Sequence, residues 1–352
     1  MRKSSELRVA LVGYGLGGGT FHAPLINATA GLRLAAVVTR DDGRRRAASE
    51  RYPGVQVVAT AADLAALRPA IDLVVVSSPS GTHASLARAA LAAGMHVVVD
   101  KPFAATAADA HEIGALATAV GRLVIPFQNR RWDADFLTVQ RLLREGKLGQ
   151  IMRFESRFER WRPSPKPRWC EPEARERAEG IVYDIGSHLV DQALLLFGPV
   201  REVYAELHRR RPGLEVEDEA FVSLLHERGV RSHLYMSASA HLSGPRMMVL
   251  GSRGGYLKLG LDPQEARLGE GRDPGAPDWG EEDSEAWGTL AVEGLVARLR
   301  SEPGRYPDFY AAVQAAISSG MPAPVSAGEA VTALAVIEAV FVSDQERASV
   351  RL

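Results

Sequence analysis

The sequence predicts two unlike α/β domains: a doubly wound, parallel-sheet domain over residues 1–127 and an α+β domain with a large, mainly antiparallel sheet over residues 128–352. Three observations carry this reading. At 352 residues the chain is longer than the roughly 250–300 residues at which one hydrophobic core stops growing. Its first third alternates short Val-rich runs with Ala-rich helical runs, the pattern of consecutive βαβ units whose parallel strands are buried on both faces. Past Phe127 one helix is followed by strand after strand, which implies antiparallel pairing.

In the first domain, strands are predicted at Leu7–Val12, Arg33–Thr39, Val55–Val58, Asp72–Val76, His96–Val99 and Leu123–Phe127. Helical stretches fall near Gly18–Ala30, Asp42–Arg51, Ala62–Leu67, Thr82–Ala93 and Thr106–Val120, several opened by a Thr or Asp cap and closed by Gly. The second domain opens with a helical stretch Asp133–Glu145 that ends at Gly146, after which Met152, Phe154 and Phe158 alternate with charged residues as in a half-exposed strand. Residues Pro163–Glu179 read as a long irregular excursion, followed by a helical run from Tyr183 to Phe197. Further strands are expected at Val200–Leu207, Glu219–Leu225, Arg231–Ala240, Met247–Leu250 and Tyr256–Leu259. Asp262–Asp283 is expected as a loop insertion, and Pro307–Ser318 and Ser326–Val342 as helices.

Composition excludes several classes of function. With 42 Lys plus Arg against 43 Asp plus Glu, the chain has no global attraction for nucleic acid or an anionic membrane. A single cysteine, Cys170, rules out an internal disulfide and any cysteine-rich metal centre, and fits a reducing, cytoplasmic setting. The first residues lack the apolar core and cleavage site of a secretory signal, and no stretch approaches the roughly 18 apolar residues of a membrane span.

The segment VALVGYGLGGG sets Gly13, Gly15 and Gly18 in GxGxxG spacing between a strand and a helix. In that context Gly13 permits a tight turn, Gly15 lets the backbone approach a pyrophosphate, and Gly18 allows close helix packing, with phosphates at the positive helix N-terminus. Arg40 lies 22 residues beyond Gly18, where dinucleotide-binding domains place the residue that reads the ribose. Thr39 and Arg40 offer a hydroxyl and a guanidinium to a 2′-phosphate, whereas Asp41 and Asp42 suit the cap of the next helix, so the expected cofactor is NADP, with NAD as the alternative.

The loop Ser77-Ser78-Pro79-Ser80-Gly81-Thr82-His83 follows the fourth strand at the sheet edge where ligands of doubly wound folds bind, so Ser78, Pro79 and His83 are candidate cofactor contacts. His83 is equally well an ordinary first-turn residue. Asp100-Lys101-Pro102 ends the fifth strand at the same edge. In the second domain, GIVYDIGSHLVDQAL carries Asp184, Gly186 and His188, and a four-residue spacing places Asp184 and His188 on one α-helical face. A carboxylate so placed orients an imidazole that exchanges a proton, and a structural hydrogen-bonded pair is the alternative. No third ligand is positioned for a metal.

Together, GYGLGGGTFHAPLI, the Asp-Lys-Pro at 100–102, FQNRRWD at 127–133 and YDIGSHLVDQALLLFG at 183–198 resemble the Gfo/Idh/MocA oxidoreductases over nearly the whole chain. The resemblance is strongest to the branch of NADP-dependent inositol, sugar and polyol dehydrogenases. It implies that Lys101, Asp184 and His188 surround nicotinamide and substrate, and that Pro102 follows a cis peptide. Asp100 stands where the family has Glu, Ala178-Glu179-Gly180 keeps only the last glycine of the family's glycine-rich start, and the tract around Trp169 and Cys170 departs from close relatives. His22, inside FHAPLI, reads as a packing residue.

The expectation from the sequence is therefore a hydride-transferring dehydrogenase of a cyclic polyol or sugar. His188 is its base, since imidazole titrates near neutral pH; Lys101 steadies the substrate oxygen, and Asp184 supports the imidazole. Asn129, Arg130, Arg131 and Trp161 lie in segments able to meet ligand. The family also contains glycosidases that oxidise and re-reduce a sugar within one turnover, which the sequence does not separate from dehydrogenases, and dinucleotide-binding regulators; Lys101, Asp184 and His188 argue against the regulators. One polar and aromatic face of Arg231–Ala240, carrying His233 and Tyr235, suits a sheet-to-sheet contact in a homodimer or homotetramer.

Overall fold

The computed structural model describes residues 6–68 and 70–352, which fall into two compact units. The first unit holds six parallel strands: β1 (Leu7–Val12), β2 (Leu32–Val38), β3 (Gln56–Val58), β4 (Leu73–Val76), β5 (His96–Val99) and β6 (Val124–Pro126). Their order, β3-β2-β1-β4-β5-β6, reverses direction between β1 and β4, so the carboxyl ends of these two neighbours diverge into a crevice. Val97, Val98 and Val99 are fully buried, as are Leu73, Val75 and Val76. Such runs are apolar at every position because helices cover both faces of the sheet.

The helices of this unit include α1 (Ala23–Ala28), α2 (Asp42–Arg51), α3 (His83–Ala92) and α4 (Ala107–Ala119). Later in the chain come α5 (Ala134–Arg144), α6 (Ser187–Phe197), α7 (Gln264–Gly269), α8 (Pro307–Ser319) and α9 (Ala327–Glu346). Asp41 and Thr106 cap α2 and α4 by accepting from the backbone N–H of Arg44 and Asp109. The predicted helix Gly18–Ala30 is shorter: Leu16–His22 is a wide turn of π type, and only Ala23–Ala28 is α-helical. Three of the seven residues of that turn are glycine, the weakest helix former after proline. Residues Ala61–Ala66 form a 3₁₀ helix.

The chain does not leave this unit for good after residue 127, as the sequence reading has it: residues 264–279 and 305–331 belong to it as well. The cause is packing of aromatic side chains. Helix α8 buries Phe309 and Tyr310 completely, with Phe309 edge-on to Phe127 at 4.9 Å and Tyr310 bonded to His22. The segment expected as a loop at Asp262–Asp283 contains α7, pinned where Gln264 Oε1 accepts from Trp279 Nε1 and from the Tyr306 N–H.

The second unit is built on a nine-stranded sheet of β7 (Ile151–Glu159), β8 (Val200–His208), β9 (Glu219–His226), β10 (Arg231–Ser237), β11 (Met247–Gly251), β12 (Gly254–Lys258), β13 (Gly288–Val292), β14 (Leu295–Leu299) and β15 (Val350–Arg351). Their order is β14-β13-β12-β11-β7-β10-β9-β8-β15, and every pair is antiparallel except β7 with β10. The sequence pattern did not show β13, β14 or β15: β14 has no buried residue, so it lacks the apolar alternation that marks a strand.

Along β10, Ser232, Leu234 and Met236 are buried while His233 and Tyr235 are half-buried, the alternation expected of a sheet with one covered face. The cover includes α6, whose Phe197 ring lies 5.3 Å from Phe154 of β7. Between sheet and helices runs a buried charge network: Arg246 bonds Ser156 Oγ at 2.6 Å and pairs with Asp135 at 2.9 Å, and Arg131 grips Asp191 bidentately at 2.8 and 2.7 Å. Bidentate arginine pairs satisfy buried carboxylates that would otherwise be costly.

Candidate functional site

In the first unit, the carboxyl ends of β1, β4 and β5 lie side by side and bring Gly13, Ser77 and Asp100 together. Gly13 turns with φ +97, and a Cβ there would collide with the Ser77 carbonyl. A Cβ on Gly18 would collide with the Gly13 carbonyl, so neither position admits a side chain. Gly15 differs: the nearest atom to an added Cβ is Arg44 Nη1, 3.9 Å away, and the backbone is open there. Open backbone beside an arginine, at the start of a helical turn, fits an anionic pyrophosphate. A Cβ on Gly17 would come within 2.6 Å of Ser77 Oγ and 2.7 Å of Asp100 Oδ2, a close approach that the sequence reading did not assign.

Beyond β2, Thr39 is buried, its hydroxyl accepting from the Asp41 N–H at 3.4 Å and its carbonyl from Arg45 Nη1 at 3.3 Å. Arg40 is exposed, and its guanidinium has no hydrogen bond or ion pair among the described residues. No carboxylate stands at Thr39 or Arg40, and Asp41 is taken up in capping α2.

The loop after β4 places Ser78 Oγ 2.7 Å from Thr82 Oγ1 and leaves Pro79 exposed. His83 is only 1% exposed, with Nδ1 2.8 Å from the Pro102 carbonyl and Nε2 2.8 Å from the Ser78 carbonyl. His83, expected among the cofactor contacts, ties this loop to the Asp-Lys-Pro segment. That role is legible only once the ring's neighbours are known.

The Lys101–Pro102 peptide is cis, and Lys101 is half-buried. Asp100 accepts from Ser77 Oγ at 2.8 Å and from the Lys101 N–H at 2.8 Å. Its Oδ2 lies 3.4 Å from Nε2 of the fully buried His22, whose Nδ1 meets the Tyr310 hydroxyl at 2.6 Å. Burial opposes ionisation of Asp100, but His22, His83 and Lys101 together outweigh it and hold its carboxyl well below the usual carboxylate range. Burial, with Asp100 adding to it, pushes the Tyr310 hydroxyl well above its ordinary value. Asn129, at the end of this unit's first segment, is 4% exposed.

In the second unit, Asp184 does not sit on a regular α-helix. It lies in the wide π-type turn Val182–Gly186, and His188, only 4% exposed, follows in α6. The sequence reading places the pair on one regular α-helix, whereas the first member lies in the turn that precedes it. The turn is anchored by Glu217, which accepts from the Val182 N–H at 3.2 Å and pairs with Arg175 at 2.8 Å. A Cβ on Gly186 would stand 3.0 Å from Met236 Sδ of β10, so the motif glycine lets the turn close on the sheet.

Asp184 Oδ2 accepts a 2.6 Å bond from Lys166 Nζ, and Lys166 lies 5.1 Å over the Trp169 ring. The sequence reading did not single out Lys166, because the excursion that bears it has no periodicity to show which way a side chain faces. Of the other residues considered for ligand contact, Arg131 is bound to Asp191, Arg130 lies 4.5 Å over the Phe158 ring, and Trp161 stacks on His241 at 3.7 Å. Among the described residues no group of three or more His, Cys, Asp or Glu is arranged to hold a metal, and no helix is long and apolar enough to cross a membrane.

A parallel sheet with a glycine turn at its switch point is the architecture of a dinucleotide-binding domain, here joined in one chain to a large, mainly antiparallel sheet. Comparison with known proteins agrees. Residues 7–127 match the NAD-binding Rossmann fold of the Gfo/Idh/MocA oxidoreductase family and residues 136–257 match that family's C-terminal domain. The chain belongs to this family and is an oxidoreductase. It is 42% identical to the oxidoreductase YdgJ of Escherichia coli (strain K12), with 99% of each chain covered. It is 33% identical to the scyllo-inositol 2-dehydrogenase (NADP(+)) IolW of Bacillus subtilis (strain 168), over 100% of this chain and 97% of the other. Among solved structures, the oxidoreductase yvaA from Bacillus subtilis superposes with a TM-score of 0.94 at 33% identity, covering 100% of both chains.

Proposed function

We propose that this oxidoreductase is an NADP-dependent dehydrogenase acting on a secondary alcohol of a cyclic polyol or sugar. The observation that carries the reading is similarity along the whole chain to IolW, whose name states that reaction and that cofactor. The exposed Arg40 just past β2, with no carboxylate at Thr39 or Arg40 to receive a ribose hydroxyl, supports NADP over NAD.

Bound nicotinamide supplies the hydride acceptor and donor. The chain's own residues bind, orient and move the proton. The glycine turn at Gly13, Gly15 and Gly18 takes the pyrophosphate, with Ser78, Pro79 and Asn129 in supporting contact. Lys101 donates a hydrogen bond to the substrate oxygen as alkoxide charge develops, His188 takes the hydroxyl proton, and Asp184, itself held by Lys166, supports the imidazole.

The protein acts in the cytoplasm as a homodimer or homotetramer, a second copy covering the half-buried face of the nine-stranded sheet. Its Arg157 guanidinium lies 4.1 Å over the Tyr235 ring, beside Phe221, a mixed aromatic and charged surface suited to association. A strictly monomeric mass by light scattering at micromolar concentration contradicts this assembly.

The test of function is a panel of inositols and aldoses assayed with both dinucleotides. Reduced dinucleotide accumulating alongside a ketone or lactone product supports the reading. Sugar cleavage without accumulation of reduced dinucleotide contradicts it and marks a redox-assisted glycosidase.

A further inference from the structure

Beside Asp184 the second unit carries a pocket whose charged lining is lopsided. Arg160, Arg162, Lys166 and Arg211 face it, and Asp184 is its one carboxylate. Lys166 is paired with Asp184 at 2.6 Å, and Arg211 with Asp218 at 2.7 Å from outside the lining. Arg162 stands apart. Its backbone is fixed on both sides, its N–H donating to the Ala238 carbonyl at 2.9 Å and its own carbonyl accepting from Arg211 Nη1 at 2.7 Å, yet its guanidinium has no partner among the described residues.

The remaining wall is largely apolar and includes the buried Trp169. A neutral polyol is recognised by a balance of acceptors and donors on its hydroxyls. This lining is instead rich in cationic donors, which match the oxygens of an anion.

We infer that this pocket holds an anionic group of the substrate, a carboxylate or a phosphate ester, so that the enzyme acts on an acidic sugar or polyol. The inference rests on the dehydrogenase reading for the assignment of Asp184 to the reacting region. The cavity measures about 30 Å³. A single water needs roughly 10–15 Å³, so the space admits a small charged group. Arg162 is then a specificity-determining residue, held ready by its backbone bonds.

The test is calorimetric titration of the full-length, NADP-loaded protein with matched series: D-galactose, D-galacturonate and D-galactose 6-phosphate, and the corresponding glucose series. At least one acidic sugar should bind about ten- to a hundredfold more tightly than its neutral parent, the usual strength of a charge-assisted hydrogen bond. The carboxylate and phosphate arms show which anion is preferred. Arg162→Glu should erase the preference, while Arg162→Lys keeps most of it; unchanged melting temperatures show that both variants are folded. Neutral parents binding as tightly as their acids, no binding of any acid, or a preference that survives Arg162→Glu overturns the inference. Arg162-dependent acid binding with no dinucleotide reduction leaves the anion pocket standing and removes the dehydrogenase reading. Turnover of neutral sugars with no acid preference does the reverse.

Discussion

His22 Nε2 stands 3.4 Å from Asp100 Oδ2, behind the residue that precedes Lys101. This contact gives the histidine of the FHAPLI segment a structural role, since the ring is fully buried and meets Tyr310 through its other nitrogen. Because the folded protein holds the Asp100 carboxyl below its ordinary range against the opposing effect of burial, ionised Asp100 contributes stability. The contribution is fully present above the unfolded value, about pH 4, and is lost as pH falls through the lower folded value. Urea unfolding of the parent and Asp100→Asn between neutral pH and pH 3 should show a stability gap that narrows in acid. A constant gap contradicts this account of Asp100.

Gly15 and Gly18 should respond oppositely to alanine. Gly15 has φ −84 and open space around its Cβ position, so Gly15→Ala should change stability by no more than about 0.5 kcal/mol. The added methyl should nevertheless weaken dinucleotide binding about tenfold or more by keeping phosphate from the backbone N–H groups. Gly18→Ala drives a methyl into the Gly13 carbonyl and should cost about 1–3 kcal/mol or more of stability. Thermal melts and dinucleotide titration of the two variants separate these effects.

Cofactor choice is tested at Arg40. Arg40→Ala should weaken NADP binding by about 1.5–3 kcal/mol, the worth of a charged hydrogen bond, and leave NAD affinity nearly unchanged. Equal losses for both dinucleotides contradict a contact with the 2′-phosphate.

What was legible in the sequence follows from how local each cause is. The buried parallel strands announce themselves because both faces are covered, leaving runs such as Leu73–Val76 apolar at every position. The glycine turn was legible because its constraint lies within six residues, from Gly13 to Gly18. Other features depend on partners distant in sequence. Arg131 meets Asp191 across 60 residues, and Tyr310 meets His22 across 288, so no window of sequence contains both members. The wide turns at Leu16–His22 and Val182–Gly186 are equally hidden, since glycine signals freedom of the backbone and not which hydrogen-bond pattern it takes. The Lys166–Asp184 pair escaped notice because an irregular segment carries no period from which to read a facing direction.

The measurement that bears most directly on the account is the rate of dinucleotide reduction by the parent and by His188→Ala, with the polyol or sugar that performs best in the panel. The account predicts steady reduction by the parent and a fall in kcat of about 10²–10⁴ for His188→Ala, with dinucleotide affinity within a few fold of the parent. A parent that reduces dinucleotide with no member of the panel, or a folded His188→Ala that binds dinucleotide normally and turns over at close to the parent rate, contradicts it.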